Sequence, residues 1–148
     1  IPVVFNFAPP HAIDTSKLAG IDYLVVNETE VEFLLGYPVL NHESMQKAIH
    51  ELMAFGVKTA IITLGYKGVF LASEDWTSIV PAYSVDAVDT TAAGDTFCGT
   101  LGVALVEGKS ISEAVQFANA AAALCVTKLG AQPSIPTREE IETFIQQQ

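Results

Sequence analysis

Cations are scarce in this sequence. Its 148 residues carry seven Lys and Arg against seventeen Asp and Glu, a net charge of −10. Such a surface repels polyanions, so neither nucleic acid nor an anionic membrane is expected as a partner. An anionic ligand must be met locally, by backbone amides, a few cations or a metal ion. Cysteine is almost missing: Cys98 and Cys125 are the only two. They form no metal-ligand spacing and no disulfide framework, and they suit a reducing, cytoplasmic setting. No apolar run reaches the roughly 20 residues of a membrane helix without Gly or charge intervening, and no signal peptide is expected. No G-x-G-x-x-G follows the first strand, which excludes the usual dinucleotide fingerprint. No G-x-S-x-G occurs, and no P-loop ending in Lys-Ser/Thr. His11, His42 and His50 stand far from either cysteine and in no cluster. Zinc and thiol-nucleophile chemistry therefore lack residues to build them, and surface positions are expected for the three histidines.

Half of the residues are apolar, enough for a packed core in a single domain. Strands and helices alternate. Residues 3–7 read as a buried strand, 23–26 as a second and 58–64 as a third. A fully apolar first strand calls for neighbours on both sides, which predicts further chain before Ile1. Met45, Ala48, Ile49, Leu52 and Met53 recur at helical spacing, and Gly56 stops that helix. Strand–helix–strand order predicts parallel pairing and an α/β fold. After Leu64 the style changes. Residues 69–72 and 78–80 predict a short antiparallel portion around Glu74 and Asp75. A helix is expected from Gly94 to about Val106, and another after the Ser110 cap with Ile111, Ala114, Val115, Ala118, Ala122 and Cys125 on its apolar face. Thr137 and Glu140 predict a capping box at the last helix.

Three segments bear chemistry. In Asp89-Thr90-Thr91-Ala92-Ala93-Gly94-Asp95, small residues and a glycine precede an acid where a helix begins. Amides at such a start are unpaired and favour phosphate. A carboxylate beside them is placed to take a proton from a hydroxyl, although Asp at a helix start is also an ordinary cap. Asn27-Glu28-Thr29-Glu30 follows a strand. Asn27 and Glu30 fit a capping box; they also stand where α/β folds place ligands, and Glu30 suits Mg²⁺ held through water. Thr63-Leu64-Gly65-Tyr66-Lys67-Gly68 is either a plain turn or a loop whose glycines bring backbone and Lys67 close to a nucleotide.

Together and in this order, the three segments resemble the ribokinase-like (PfkB-type) family of carbohydrate kinases. The similarity continues through residues 118–123 and through Lys128-Leu129-Gly130-Ala131-Gln132-Pro133-Ser134-Ile135-Pro136. The resemblance implies a three-layer α/β sandwich built on a largely parallel sheet. It implies transfer of the ATP γ-phosphoryl to a primary hydroxyl of a sugar, ribose being the first expectation. Another sugar or nucleoside kinase, or a non-catalytic nucleotide-binding fragment, is the alternative. By resemblance, Asp95 is the base that contacts the sugar, and Ala92, Ala93 and Gly94 form the anion hole. Asn27, Thr63, Gly65, Tyr66, Lys67, Gly68, Gly94 and Asn119 meet the nucleotide, and Glu30 organises Mg²⁺ through water. A monovalent cation, K⁺, is held by the Asp89 carboxylate, the carbonyls of Thr91, Cys125, Lys128 and Gly130, and Ser134. Members are about twice this length, so residues 1–148 are expected to be the C-terminal portion of one domain. The sugar-binding glycine signature and the lid belong to the missing N-terminal half, and members dimerise through that lid. Cys98 stands where ribokinases often have Asn.

Overall fold

β-Branched and aromatic residues set the strands of this chain. The computed structural model describes all 148 residues. The chain divides into two compact units, one of Ile1–Leu64 with Val69–Ile79, the other of Gly65–Gly68 with Val80–Gln148.

The first unit is built on a sheet. Its strands are β1 (Val4–Asn6), β2 (Tyr23–Asn27), β3 (Thr59–Thr63), β4 (Val69–Ser73) and β5 (Trp76–Val80), in the order β1-β2-β3-β4-β5. The strands β1, β2 and β3 run parallel, and β4 returns antiparallel to β3. Helices α1 (Glu28–Leu35) and α2 (His42–Ala54) are the crossover between β2 and β3. Leu24, Val26, Ala60, Ile62, Phe70 and Ala72 point to one face of the sheet. They form a core with Val31, Ala48, Ile49 and Leu52 of the helices. The alternate residues Val25, Ile61 and Leu71 are buried as well, the pattern of strands covered on both faces. Asn27 and Thr63 are register partners at the carboxyl ends of β2 and β3.

The first strand departs from expectation. It covers three residues, all half-buried, and pairs with β2. Val3 is exposed, whereas Phe7 is buried just beyond the strand and donates its N–H to the Val25 carbonyl at 3.1 Å. Within these 148 residues one edge of β1 is unpaired. Its entry is held by Asp22, which accepts from the Val3 N–H at 2.8 Å and the Lys58 ammonium at 2.6 Å. The Lys58 bond is the main reason that the Asp22 carboxyl lies below its ordinary pKa.

The second unit is helical: α3 (Ala93–Val106), α4 (Ile111–Val126) and α5 (Arg138–Gln146). The most extensive packing is between α3 and α4. Ser110 and Glu113 form a capping box at α4, and Thr137 and Glu140 form one at α5. The Lys128 ammonium, 2.8 Å from Glu140, leads the interactions that lower that carboxyl to a pKa of about 2. The buried surface of α4 is wider than a single apolar stripe. Phe117, Asn119, Ala120, Ala121 and Ala123 are buried, while Ala122 is only half-buried. A helix apolar nearly all round is a buried one, and its alanines let backbone come close.

Candidate active site

The segment before α3 is pinned from the end of α4. The N–H groups of Val88 and Asp89 both donate to the Val126 carbonyl, at 2.7 and 3.1 Å. One Asp89 oxygen accepts the Thr91 N–H at 2.9 Å, and the other accepts the Gly130 N–H at 3.0 Å. Thr91, then Gly130, hold the Asp89 carboxyl below its ordinary pKa, since donors to a carboxylate favour its charged form. The chain then turns through Ala92, which is the N-cap of α3 at φ 61° and ψ 7°. It is the only non-glycine residue with positive φ, a conformation that costs an L-residue roughly 1 kcal/mol.

That turn decides what Asp95 is free to do. Ala92 supplies no side-chain cap. Asp95 stands third in α3, is exposed, and its carboxylate makes no hydrogen bond within the chain. The Ala93 N–H reaches the Thr90 carbonyl at 3.3 Å, and the Thr96 N–H reaches the Ala92 carbonyl at 2.8 Å. Between them, the amides of Gly94 and Asp95 are left without an acceptor in the chain, as a helix start requires. A carboxylate thus sits beside free, outward donors. Along the same helix, Asp95, Thr96, Gly99, Thr100 and Val103 line one side of a largely apolar cleft of about 270 Å³.

Asn119 and the 65–68 loop share a brace in the second unit. Gly65–Lys67 form a short 3-10 turn, and the Gly68 N–H closes on the Gly65 carbonyl at 3.0 Å. Gly68 has φ 99°, and a Cβ there would lie 2.2 Å from the Val80 carbonyl oxygen. The buried Asn119 amide holds that same backbone, donating to the Pro81 carbonyl at 3.2 Å and the Val80 carbonyl at 3.5 Å. Tyr66 is 88% exposed, with the Lys67 ammonium 5.8 Å from its ring centre. The loop therefore offers an exposed ring and a cation on a stiff base.

In the first unit, the capping box at α1 is complete. Glu30 accepts from the Asn27 N–H at 2.8 Å and from the Asn27 side-chain amide at 3.1 Å, and the Glu30 N–H donates to Asn27 Oδ1 at 2.9 Å. Glu30 is only 4% exposed, and burial pushes its carboxyl above the ordinary pKa. Thr63 donates its hydroxyl to the Val26 carbonyl at 3.4 Å.

Two features lie outside what the sequence signals. One is the buried thiol of Cys125. It takes a hydrogen bond from Thr96 Oγ1 at 3.4 Å and lies 3.1 Å from Ser134 Oγ and 3.7 Å from the Thr91 carbonyl. The other is the contact of Gly68 with residues 80–82. Neither can be inferred from spacing; the family resemblance gathers Thr91, Cys125 and Ser134 around one ion but says nothing of the thiol. The three histidines are exposed, as expected. No group of three or more His, Cys, Asp or Glu is placed to hold a metal ion, and no helix is long and apolar enough to cross a membrane.

The model of the pfkB family carbohydrate kinases matches residues 2–138. The ribokinase of Haemophilus influenzae is 46% identical over 146 residues, covering 99% of this chain and 48% of that protein. Among solved structures, ribokinase from Thermotoga maritima superposes with a TM-score of 0.90 at 46% identity, over 98% of this chain and 49% of the other. The structure of Arabidopsis thaliana ribokinase complexed with ribose and ATP gives 0.92 at 37% identity, over 98% and 47%. The chain thus spans about half the length of the relatives it matches, and its fold is that of their α/β sheet and helices.

The braces give two expected outcomes. Gly68→Ala places a methyl within 2.2 Å of backbone oxygen at φ 99°, whereas Gly65→Ala at φ 56° meets nothing within 4 Å. Denaturant unfolding of the 148-residue chain should show a loss of about 3 kcal/mol or more for the first and roughly 1 kcal/mol for the second. Equal losses would show that the contact with residues 80–82 does not form. For Asp89, the folded pKa is depressed, so its contribution to stability is full above the ordinary value of 3.8 and fades as pH falls through the lowered one. The stability gap between wild type and Asp89→Asn should be widest near neutrality and close in acid. A gap that widens as pH falls would overturn the assignment of those two hydrogen bonds.

Proposed function

As the chain belongs to the pfkB family of carbohydrate kinases, we propose that it is the nucleotide-binding and catalytic-base portion of a ribokinase-type enzyme. In the complete enzyme, whose two halves form one domain, the ATP γ-phosphoryl passes to a primary hydroxyl of ribose. Asp95 carries this reading. Its exposed carboxylate has no partner in the chain and stands beside the free amides of Gly94 and of Asp95 itself. Phosphoryl transfer asks for positioning and charge stabilisation more than for covalent catalysis. The amides supply fixed donors for the developing negative charge. The carboxylate accepts the hydroxyl proton as the new O–P bond forms.

The remaining roles are assigned residue by residue. Ala92 and Ala93 complete the anion-hole turn with Gly94. Gly65, Tyr66, Lys67 and Gly68 meet the nucleotide, with Asn119 at the adenine end, and Asn27 and Thr63 serve the same ligand. Mg²⁺ belongs with Glu30. Both oxygens of this buried carboxylate already accept from Asn27, so it fits a hydrated ion reached through water rather than direct ligation. K⁺ belongs with Asp89, Thr91, Cys125, Lys128, Gly130 and Ser134. Asp89 brings the one formal negative charge in that set and is half-exposed, which fits a large, weakly held monovalent ion. Bound there, the ion adds positive charge beside the anion-hole loop. Neither cysteine is in a disulfide, which supports a cytoplasmic setting, and the complete protein is proposed to be a homodimer.

Asp95→Asn in the complete enzyme should lower kcat by 10²-fold or more, the usual loss with a general base, while ADP affinity measured by calorimetry stays within about twofold. A variant keeping more than about a tenth of wild-type turnover removes Asp95 from that role. Activity should also rise with K⁺ and be much weaker in Na⁺ alone. Rates indifferent to K⁺, Na⁺ and a bulky organic cation at fixed ionic strength would sink the cation assignment.

A further inference from the structure

We propose that the thiol of Cys125 is a positioning group for phosphoryl transfer: it fastens the carbonyl of Thr91, and with it the turn through Ala92, to Thr96 and Ser134. This rests on the functional reading above. Cys125 lies in the last turn of α4 and is wholly buried, as is Ser134, while Thr96 is 5% exposed. Three segments meet at its sulfur: the loop before α3, the first turn of α3, and the 3-10 turn Gln132–Ser134.

The proton count gives the cluster a direction. Ser134 has one hydroxyl proton and spends it on the Ala131 carbonyl at 2.6 Å. Its oxygen, 3.1 Å from the sulfur, is therefore an acceptor. Thr96 donates its hydroxyl to the sulfur. The S–H proton is then the only one left for the two acceptors, Ser134 Oγ and the Thr91 carbonyl. The order Thr96 to Cys125 to Thr91 or Ser134 is fixed by chemistry, because a backbone carbonyl cannot donate. A thiol hydrogen bond is weak by itself. Here every side chain in the cluster is buried, so removing the sulfur strands the Thr96 hydroxyl without an acceptor, and an unsatisfied buried donor costs more than the bond it lost.

The position matters because Ala92 comes directly after Thr91. Ala92 turns at positive φ, which an alanine adopts only when its surroundings hold it there. The loop is anchored at two places, its start and the carbonyl just before Ala92. Asp89 ties its start to Gly130, and Cys125 ties the carbonyl just before Ala92. Losing the second anchor frees the turn that aims the Gly94 and Asp95 amides, while the Asn119 and Gly68 brace is untouched. Misplaced oxyanion donors reduce the rate of the chemical step rather than nucleotide binding.

The test uses Cys125→Val, which keeps the volume without a donor or acceptor, Cys125→Ala, which avoids the added branch, and Cys125→Ser, which restores the polar pattern. In the complete enzyme, Val and Ala should lower kcat about tenfold or more with KM for ATP within twofold, and Ser should recover to within about threefold of wild type. In parallel, amide exchange of Thr91 and Thr96 should quicken at least tenfold in Val and Ala and be restored in Ser. A kcat unchanged in both Val and Ala, exchange unchanged in both, or a rise in KM for ATP matching the fall in kcat would overturn the proposal. A wild-type enzyme that phosphorylates no sugar would sink the functional reading by itself; quickened exchange in Val and Ala would still support the sulfur as the anchor.

Discussion

The hold that the end of α4 keeps on the segment 88–92 is the constraint on which the rest of the site depends. Three bonds come from this region: the Val126 carbonyl takes two amides, and the Gly130 N–H donates to an Asp89 oxygen. They fix the chain before it turns at Ala92. Without that hold, an alanine in the left-handed region would relax toward the ordinary helical or extended basins. The consequence runs forward along α3. A helix entered through an αL residue with no capping side chain leaves its first amides bare. In most helices such bare donors are a cost met by a Ser, Thr, Asp or Asn. Here the donors stay open to solvent.

Alanine makes this anchoring possible. The run in α4 leaves little side chain between that helix and its neighbours, and α3 packs against it more extensively than against any other element. The polar groups carried into that contact, Thr96 and Cys125, satisfy one another. Asn119 works the same way one stretch earlier, spending its amide on the backbone at residues 80–81. A helix that is apolar nearly all round thus carries two polar hooks, and each fastens a different loop.

Much of the fold was legible because it depends on local pattern. Strand and helix positions, the Gly56 stop and the capping boxes at Asn27 and Thr137 come from periodicity and cap chemistry, which act within a few residues. The burial of the first strand was legible only in part, because apolar content marked all of residues 3–7 while only Phe7 is fully buried. The full buried face of α4 was hidden too, because small residues allow burial all round where a periodic stripe marks only one side. Of the site, Asp95 and the turn before it were legible as residue types, but the left-handed φ at Ala92 was not, since alanine carries no signal for it. The Cys125–Thr91 contact and the Asn119 brace behind Gly68 join residues 34 and 38 positions apart through the fold alone, so no spacing rule reaches them.

Two acidic residues at helix starts were open to the same pair of readings, cap or chemistry, and the hydrogen bonds separate them. Glu30 spends both oxygens on Asn27 and is nearly closed from solvent. Its first duty is structural, and any ion it serves must be reached indirectly. Asp95 occupies the corresponding third position of its helix, yet the residue at its N-cap is alanine in a left-handed turn and extends no side chain toward it. The reciprocal bond of a capping box, which the N-cap backbone N–H donates, is not made from the left-handed Ala92 either, and the carboxylate faces water with its lone pairs unspent. The two N-caps differ in side chain and in backbone, Asn27 extended and Ala92 left-handed, and the acid three residues on is tied down at the first and left without a partner in the chain at the second.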